Sequence, residues 1–487
     1  MHPADPHPLS PNRSNASPKP MADTPEQRAI ILASAAASFL VPYTTSSIAV
    51  ALPAIGSEFS LDAVTLGWVM SAYVLVTLMF IVPMGRLSDL YGRKQIFLYG
   101  TILFTAASLL AALAPSETLL ILGRVLQGIG GAMIFSTSVA IITDVCPVET
   151  RGRALGIVLA TVYAGLSAGP FIGGILTSAF GWRAIFFVNI PIGLVVLDLI
   201  NRRISGEWAH ARGERFDLAG SIVYAGAIFG LMYGLTLIPD LAGTWWIVAG
   251  AVSLFAFIRW EKRTASPLID LSVFRGNLTF GLSNLAAMFN YASTYAVAVL
   301  LSLYLQYIKG FPPDLAGLIL VVQPVLQMVI SPAAGRLSDT VEPRLIATAG
   351  MTMTTAGIIL LIFLTPETPL TYLIASLILL GIGYGFFSSP NTNAIMSSVE
   401  RRFTGIASGM VATMRASGQL LSMAIAMLTF SLFIGTAAIT PDNYPALLLS
   451  VRVSFIIFAV LCGIGVLASY ARGQVLGAQP EEYKSDA

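Results

Sequence analysis

The sequence predicts an all-α integral membrane protein with fourteen spans, arranged as two six-helix bundles plus two extra transmembrane helices. Three observations support this prediction. Only 11% of the 487 residues are charged and 56% are hydrophobic, whereas soluble proteins carry charge on about a quarter of their residues. Apolar runs long enough to cross a bilayer recur along most of the chain. A five-residue segment also repeats at equivalent ends of two of these runs.

The composition excludes several classes of function. The 27 basic and 25 acidic residues leave a net charge of +2, so nothing predicts nucleic acid as a partner. The histidines and cysteines are too scattered for a metal site or a Cys–His nucleophile, and we expect no metal, no cofactor and no enzymatic activity. The sequence also lacks a Gly-x-x-x-x-Gly-Lys-Ser/Thr segment, so ATP is not the direct energy source. The scattered residues are His2, His7, His210, Cys146 and Cys462.

The apolar runs define the helices of the prediction. A β-barrel is excluded, because its strands would alternate in polarity over about ten residues. The predicted spans are residues 29–54, 67–87, 96–114, 118–143, 154–179, 184–201, 218–238, 243–259, 278–307, 315–335, 345–364, 370–396, 404–433 and 447–470.

The spans divide the chain into domains. The first residues are rich in Pro, Ser and Asn and resemble a flexible tail rather than a signal peptide, with Met21 as an alternative translation start. The predicted domains are a flexible cytosolic tail (1–27), an N-terminal six-helix bundle (28–203), two inserted transmembrane helices with cytosolic loops (204–275), a C-terminal six-helix bundle (276–472) and a second cytosolic tail (473–487).

Basic residues predict the orientation in the membrane. With both termini in the cytosol, the outer loops hold only Arg183 and Lys309, which is the positive-inside pattern. We therefore expect a multi-pass protein of the cell membrane with both termini cytosolic. The inner loops then hold Arg86, Arg93, Lys94, Arg151, Arg153, Arg202, Arg203, Arg259, Lys262, Arg263, Arg336, Arg344, Arg401 and Arg402.

An internal repeat predicts the architecture. Gly-Arg-Leu-Ser-Asp occupies residues 85–89 and again residues 335–339, at the ends of the second and tenth spans. The offset of eight helices indicates two six-helix units separated by an inserted pair. Two units repeated in the same orientation are typical of a rocking-bundle transporter, whose site lies between the units.

Four segments carry a family resemblance. They are Gly-Arg-Leu-Ser-Asp-Leu-Tyr-Gly-Arg-Lys (85–94), Arg-Val-Leu-Gln-Gly-Ile-Gly-Gly-Ala (124–132), a glycine series ending in Gly-Pro-Phe-Ile-Gly-Gly (156–174), and Trp-Arg-Ala-Ile-Phe-Phe-Val-Asn-Ile-Pro-Ile-Gly (182–193). The sequence resembles the major facilitator superfamily, specifically its fourteen-helix drug:proton antiporter group, over residues 28–472. The resemblance implies the major facilitator fold, and the last segment identifies only the subgroup.

The first segment is a short loop that contains Gly85, Asp89, Gly92 and Arg93. Glycine allows a tight turn, and Asp can face a helix N-terminus or a basic partner. The resemblance implies that this loop is a conformational latch, which holds the bundles together in the outward-facing state, with Asp144 as the expected partner of Arg93. The alternative is a turn that only anchors the loop at the headgroups.

The second segment places Arg124 inside the fourth span. An arginine there costs about 2.5–3.5 kcal/mol on insertion scales, so we expect it to face the bundle interior, with Gln127 on the same helical face. The resemblance implies a role for Arg124 in proton coupling. The alternative is a snorkelling side chain, since residue 124 lies only about 9 Å into the helix.

The third segment matches the antiporter motif of the group at every fixed position of the fifth helix. Its glycines allow backbone-to-backbone packing, and its proline bends the helix. The resemblance implies a leak-tight, kinked gate, which accompanies exporters; ordinary small-residue packing is the alternative. The motif residues are Gly156, Gly165, Gly169, Pro170, Gly173 and Gly174.

One position departs from the group. An Asp usually precedes the first-helix Ala-Leu-Pro, which is residues 51–53 here, but Thr44 occupies that acidic position. No Asp or Glu lies deep in any predicted span, and a buried carboxylate is the simplest device for trading a proton for an organic cation. This departure weakens the expectation of strict proton/cation antiport.

A second intramembrane arginine is predicted in the thirteenth helix. Arg415 lies about 18 Å into that helix, with Gln419 one turn further on the same face. A cavity-facing Arg415 would favour an anionic or zwitterionic substrate. The alternative is a structural arginine that caps carbonyls or pairs with Asp144 or Glu400.

Aromatic, amide and thioether groups in the spans suit a broad, amphipathic pocket. Asn284, Met288, Tyr291 and Tyr295 share one face of the ninth helix. Any single polar group could instead make an interhelical hydrogen bond worth under about 2 kcal/mol. The predicted substrate-cavity residues are Tyr43, Thr44, Gln127, Tyr163, Asn290, Tyr291, Gln323, Asn391, Arg415 and Gln419.

The motifs and the resemblance together predict a secondary active exporter of amphipathic small molecules or drugs, which works by alternating access and proton antiport. Two alternatives remain: an exporter of anionic metabolites or lipids, and a transport-inactive membrane sensor or scaffold. The expected partners are the lipid bilayer, a small-molecule substrate and a coupling ion, most simply a proton. We expect a monomer.

Overall fold

The structure is a computed structural model that describes residues 24–209, 211–264, 268, 277–399, 404–435 and 437–473. Within these residues, fourteen helices are long and apolar enough to cross a membrane. The prediction of an all-α protein with fourteen spans is therefore confirmed. The helices are α1 (Pro25–Phe59), α2 (Ala63–Tyr91), α3 (Arg93–Ala112), α4 (Glu117–Val145), α5 (Val148–Phe180), α6 (Arg183–Arg203), α7 (Leu218–Leu237), α8 (Leu241–Glu261), α9 (Leu278–Ile308), α10 (Pro313–Leu337), α11 (Pro343–Ile362), α12 (Leu370–Ser397), α13 (Thr404–Phe433) and α14 (Tyr444–Ala471).

Local sequence sets several helix boundaries. Thr24 caps α1 with a capping box, in which its hydroxyl accepts from the Gln27 N–H at 3.2 Å. The carboxylate of Asp62 accepts two backbone N–H groups in the first turn of α2, each at 2.9 Å. At the other end of α2, Gly92 takes a φ of +126°, which separates α2 from α3.

The two six-helix units pack in the same way. In the first unit, α1 lies against α5 and α6, α3 lies against α4 and α6, and α2 lies against α4. In the second unit, α9 lies against α13 and α14, α11 lies against α12 and α14, and α10 lies against α12. Each contact thus has a counterpart eight helices later, as the sequence repeat predicts. We call these units the first bundle (α1–α6) and the second bundle (α9–α14).

The inserted pair covers the seam between the bundles. α7 packs against α2 of the first bundle and α13 of the second. The Tyr224 hydroxyl donates to the Leu78 carbonyl on α2 at 3.0 Å, and the Ser431 hydroxyl of α13 donates to the Ile238 carbonyl just after α7 at 2.8 Å. α8 lies outside α7 and exposes large apolar side chains such as Phe255, which suit contact with lipid.

The bundles meet from the middle of the spans to one end and separate toward the other. We call the end at which α1 begins the basic end, because it carries the basic loops, and the other the opposite end. In the described part of the chain, the hydrogen bonds between the bundles lie halfway along the spans or toward the opposite end, such as Gln306 Nε2 to the Val50 carbonyl at 2.8 Å. The basic half of α5 exposes Gly156, Ile157 and Leu159. The conformation is therefore closed at the opposite end and open at the basic end.

Candidate substrate and coupling sites

The predicted latch forms an ion-pair cluster at the basic end. Arg93, the first residue of α3, contacts Asp89 of α2 at 2.8 Å and Asp144 of α4 at 2.8 Å. The same guanidinium donates to the Ala140 carbonyl at 3.2 Å. Gly85 lies close to α4, since a Cβ on it would stand 3.7 Å from that of Ser136. The contact between Arg93 and Asp144 is the one that the sequence predicts, and it ties three helices of the first bundle together.

A second partner of this loop was not predicted from the sequence. The segment between α6 and α7, residues 204–209 and 211–217, lies on the junction of α2 and α3 that carries the latch residues. The Arg93 N–H donates to the Trp208 carbonyl at 2.8 Å, and the Ala211 N–H donates to the Asp89 carbonyl at 2.9 Å. The Glu207 carboxylate accepts from the Lys94 N–H at 2.9 Å, so it caps the N-terminus of α3. We call residues 204–209 and 211–217 the linker.

Charge pairs strengthen this docking. Glu214 of the linker pairs with Arg86 in the last part of α2. Glu26, in the first turn of α1, accepts from the Ser205 N–H at 2.8 Å. Gly92 has a φ of +126°, which favours glycine, and a Cβ there would also have to displace the Glu207 carboxylate. The only sequence signal for this contact was the presence of three acidic residues in a segment on the same side of the membrane as the basic loops.

The antiporter motif on α5 packs on both bundles. Cβ atoms on Gly165, Gly169 and Gly173 would meet the backbone of α1 at 3.2 Å or less, so these glycines bring α5 and α1 into backbone contact. Pro170 follows Gly169 inside the same helix. Gly156 differs, because a Cβ there would meet no atom within 4 Å.

Gly174 faces the second bundle. A Cβ on it would stand 2.6 Å from the Pro313 carbonyl oxygen and 3.3 Å from the Gly317 Cα, both on α10. In return, a Cβ on Gly317 would overlap the Pro170 carbonyl. The two glycines therefore allow α5 and α10 to touch through their backbones at the opposite end. Gly317 was not predicted, because it lies outside the motif that identified its partner.

Arg124 is buried, with none of its side chain exposed. Its Nε donates to the Val69 carbonyl at 3.1 Å, and its Nη1 donates to Gln127 Oε1 at 2.7 Å. The guanidinium carbon lies 4.5 Å from the centre of the Tyr73 ring, within cation–π range. These contacts exclude the snorkelling alternative. Nη2 has no hydrogen-bond partner among the residues that the structure describes.

A chain of neutral groups connects Arg124 to the first helix. Gln127 Nε2 donates to the Ser108 hydroxyl at 2.7 Å, and Asn189 Nδ2 donates to the same oxygen at 3.3 Å. Thr44 in turn donates to Asn189 Oδ1 at 3.0 Å. All five side chains are buried. Gln127 and Thr44 thus belong to a network inside the first bundle, and Asn189 is a member that the sequence did not single out.

A broken helix of the second bundle places Tyr295 where it interacts with Arg124. The regular turns of α9 stop at Thr294 and resume at Val297. The N–H of Ala296, freed by the break, donates to the Ser422 hydroxyl of α13 at 3.0 Å. Tyr295, at the break, interacts electrostatically with Arg124 and Tyr73. Its hydroxyl and that of Tyr73 are buried and have no hydrogen-bond partner among the described residues.

A second polar cluster lies between the bundles. Tyr163 of α5 hydrogen-bonds through its hydroxyl to that of Ser388 on α12 at 2.9 Å. Arg415 lies over the ring of Tyr291, with 5.3 Å between its guanidinium carbon and the ring centre. Tyr291 also packs edge-on against Tyr384, with ring centres 5.7 Å apart. We call these five residues the inter-bundle cluster. It brings together three of the predicted cavity residues, whereas Tyr384 and Ser388 were not predicted.

The remaining predicted cavity residues are distributed around this region. Tyr43 is buried and stacks on Phe39. Asn290 is buried, and neither atom of its amide has a partner among the described residues. Gln323 and Gln419 are half-buried on α10 and α13.

Asn391 has a different environment from the one expected. Its Oδ1 accepts from Arg472 at 2.5 Å, and its Nδ2 donates to the Ser283 carbonyl at 3.1 Å. Arg472 also donates to the Pro343 carbonyl at 2.8 Å and is fully buried. Both ends of the Asn391 amide are therefore used inside the second bundle, and we leave it out of the cavity.

In the described part of the chain, the acidic side chains lie in loops or near the ends of helices. None of these described carboxylates lies in the middle of the membrane. The same residues contain no group of three His, Cys, Asp or Glu side chains suited to a metal ion. Asp144 pairs with Arg93, and Glu400, the other alternative partner for Arg415, lies outside the described residues.

This geometry defines a class of protein. Two bundles with equivalent packing, closed at one end and open at the other, with buried polar groups between them, are the architecture of an alternating-access membrane transporter.

Comparisons with known proteins give the family. The model of the Major Facilitator Superfamily matches residues 34–202 and 284–484, and the chain belongs to this superfamily. The prediction of a transporter rather than an enzyme is thereby confirmed. A solved structure of a bacterial homologue of the human lysosomal transporter Spinster, in an inward-facing and unoccupied conformation, has the same fold, with a TM-score of 0.65 and 19% identity over 93% of this chain and 98% of that one.

Three relatives carry names that indicate transport. The chain is 29% identical over 433 residues to the riboflavin transporter RibZ of Clostridioides difficile, covering 88% of this chain and 94% of the relative. It is 31% identical over 403 residues to the multidrug resistance protein Stp of Mycobacterium tuberculosis (81% and 74%). It is 31% identical over 444 residues to the cephamycin export protein CmcT of Amycolatopsis lactamdurans (89% and 91%).

Proposed function

We propose that the chain is a secondary active exporter of amphipathic small molecules, which works as a monomer by alternating access in the cell membrane. The observation that carries this proposal is the inter-bundle cluster. It joins three tyrosines, a serine and an arginine from α5, α9, α12 and α13 halfway along the spans, where the bundles separate toward the basic end. Aromatic faces with a few polar groups suit an amphipathic ligand.

The basic end supplies the access route. The positive-inside pattern supports a cytosolic basic end, so the conformation described above would be open to the cytosol. An open, mostly apolar pocket of about 510 Å³ lies there, lined by α9 from Asn277 to Leu285 and by Met414 of α13. Met414 immediately precedes Arg415 of the inter-bundle cluster. Such a pocket would accept the apolar part of an amphiphile from the cytosolic side.

The antiporter motif on α5 supports outward transport, and the latch residues around Arg93 support a switch between the two conformations. The close contact of Gly174 with α10 supports a gate that seals the opposite end. The ion pairs of Arg93 support a latch that is assembled within the first bundle and available to the second when the basic end closes. Multidrug resistance and cephamycin export in two relatives support outward transport.

The test uses purified protein in liposomes that contain an interior pH dye. A panel of cationic, neutral and anionic amphiphiles is added, and substrate flux and proton movement are recorded together. We expect at least one amphiphile to move. We expect Tyr384→Ala to abolish that movement, whereas Tyr99→Ala, which removes an exposed ring of α3, should not. Folded protein that moves no member of the panel would contradict the proposal.

The coupling ion is tested in the same experiment. The resemblance implies proton antiport through Arg124, and movement of a cation that dissipates the pH gradient would support it. Asp89→Asn tests the latch, since it removes one of the two carboxylates on Arg93 and should slow flux without reducing insertion into the membrane. Unchanged flux would contradict the latch.

A second candidate, an exporter of anionic amphiphiles, is favoured by the charges of the seam. Both intramembrane arginines described above, Arg124 and Arg415, lie where the bundles meet, and the described spans place no carboxylate beside them. In the same panel, movement of anions alone would select this candidate.

A further inference from the structure

Two guanidinium groups occupy successive positions along the seam, one on each bundle. Arg415 of the second bundle lies 5.3 Å from the ring centre of Tyr291, and Arg124 of the first bundle lies 4.5 Å from that of Tyr73. Both arginines are therefore held by aromatic faces, which attract a cation but do not neutralise it.

α9 connects the two positions. Tyr291 contacts Arg415, and Tyr295, four residues later, interacts with Arg124. Residues four apart lie on one helical face about 6 Å apart along the axis. The helix is broken at Tyr295 and Ala296, and broken helices at mid-membrane depth are typical of transporter binding sites. One face of α9 thus leads from the first arginine to the second.

Among the described residues, no ion pair compensates the charge at either position. The carboxylates that form ion pairs in the described residues pair with Arg86, Arg93, Arg183 and Arg202, all near helix ends. At the Arg124 position, Nη2 of this arginine and the hydroxyls of Tyr73 and Tyr295 are buried without a hydrogen-bond partner in the described part of the chain. A buried charge with free donors beside it is costly unless a negative group binds there.

We propose that the substrates are aromatic organic anions, whose oxyanion group binds first at Arg415 with Tyr291 and then at Arg124 with Tyr295. A planar guanidinium and a tyrosine hydroxyl both donate to a carboxylate, sulfonate or phosphate, and the tyrosine rings stack on the aromatic part. Arg415 lies in the half of α13 nearer the basic end, so we expect the substrate to reach it from that end. The Arg124 position, which interacts with Tyr295 of the other bundle here, becomes reachable from the opposite end when the bundles reorient. This inference rests on the proposed export function and names its substrate class.

An anionic substrate also removes the need for an intramembrane carboxylate. A membrane potential that is negative inside drives an anion outward, and 100 mV supports an accumulation ratio of about 50-fold per charge. Export of an anion can therefore be driven by the potential without a protonatable acid in the spans. The threonine at position 44 is consistent with such a mechanism.

The test compares two dyes with one ring system. Carboxyfluorescein is an anionic xanthene and rhodamine 123 a cationic one. Binding to purified protein is measured by fluorescence anisotropy, and flux is measured in proteoliposomes with a potassium diffusion potential. We expect carboxyfluorescein to bind and to move at a rate that rises with the potential, whereas rhodamine 123 should do neither.

Variants distinguish the two positions. Arg415→Gln should weaken carboxyfluorescein binding by about tenfold or more, because it removes a charged donor. Arg124→Gln should leave binding within about twofold of the parent but reduce flux by about tenfold or more. Tyr295→Phe removes only a hydroxyl and should also reduce flux more than binding. The Arg124 position therefore stays testable if Arg124→Gln does not fold. The control is Arg202→Gln, which removes an arginine whose side chain is 77% exposed at the end of α6.

The outcomes separate this inference from the proposed function. Flux of rhodamine 123 without flux of carboxyfluorescein would overturn the anion assignment while the exporter stands. The assignment of the residues would be overturned if Arg415→Gln and Tyr295→Phe transported carboxyfluorescein as fast as the control variant Arg202→Gln. Failure of the whole amphiphile panel would overturn the exporter itself.

Discussion

Gly174→Ala tests whether the backbone contact between α5 and α10 forms the gate. The added Cβ would stand 2.6 Å from the Pro313 carbonyl oxygen and 3.1 Å from the Asp314 Cα, and ordinary contacts begin at 3.4 Å. Both neighbours are backbone atoms, so the helices must separate by about 0.8 Å. Overpacking of this kind costs about 1–3 kcal/mol, which disfavours the state closed at the opposite end by about 5- to 150-fold.

The assay reports closure of that end. Ser178 of α5 and Asp314 of α10 are hydrogen-bonded at 3.2 Å, so cysteines at both positions should cross-link under mild oxidation only when the opposite end is closed. The native cysteines, Cys146 and Cys462, are buried and far from this pair. We expect Gly174→Ala to slow cross-linking of the double-cysteine protein by at least the lower bound of about fivefold.

Gly156→Ala is the matched control. It changes another glycine of the same motif on the same helix, but a Cβ there meets no atom within 4 Å. Alanine also stabilises a helix interior by about 0.5–1 kcal/mol relative to glycine, so neither variant should unfold α5. Equal cross-linking rates for the two variants would refute the gate, because the motif would then supply only helix packing.

Three further outcomes are expected. Glu207→Gln, which removes the charge that caps α3 beneath the linker, should reduce flux several-fold at unchanged substrate affinity; unchanged flux would make the linker a passive connection. Arg472→Ala leaves the Asn391 and Pro343 oxygens unsatisfied in the second bundle. This variant should be less stable by about 3 kcal/mol or more, which a lower Tm of the purified protein would show. An unchanged Tm would mean that other groups take over these hydrogen bonds. Thr44→Asp places a carboxylate next to Asn189. It should introduce proton-coupled movement of rhodamine 123, which the interior pH dye would detect. A folded variant whose rhodamine 123 flux does not depend on the pH gradient would show that this position does not control coupling.

Much of the fold follows from sequence because the bilayer imposes simple rules. Spans must be long and apolar, which fixed fourteen helices to within a few residues, and the repeated segment at 85–89 and 335–339 indicated two equivalent units. The contact of Arg93 with Asp144 was also predictable, because a charged residue at a helix end needs a partner nearby and few candidates exist.

Contacts between units were harder to predict, since they depend on packing that no local pattern encodes. The linker docks through backbone N–H groups of Arg93 and Ala211, which every residue type possesses. Gly317 gains its importance only from Gly174 on a helix far away in sequence. The amide of Asn391 suits a cavity or a hydrogen-bonded interior equally well, and only the position of Arg472 decides between them.

The polar network of the first bundle explains how the missing acid and the buried arginine are related. Hydrogen bonds run from Thr44 through Asn189, Ser108 and Gln127 to Arg124, so the position at which the group usually carries an Asp belongs to the same network as the arginine. A carboxylate there would supply a negative charge to that network. Threonine supplies none, and no ion pair joins Arg124 to a carboxylate among the described residues, which supports the proposed anionic substrate.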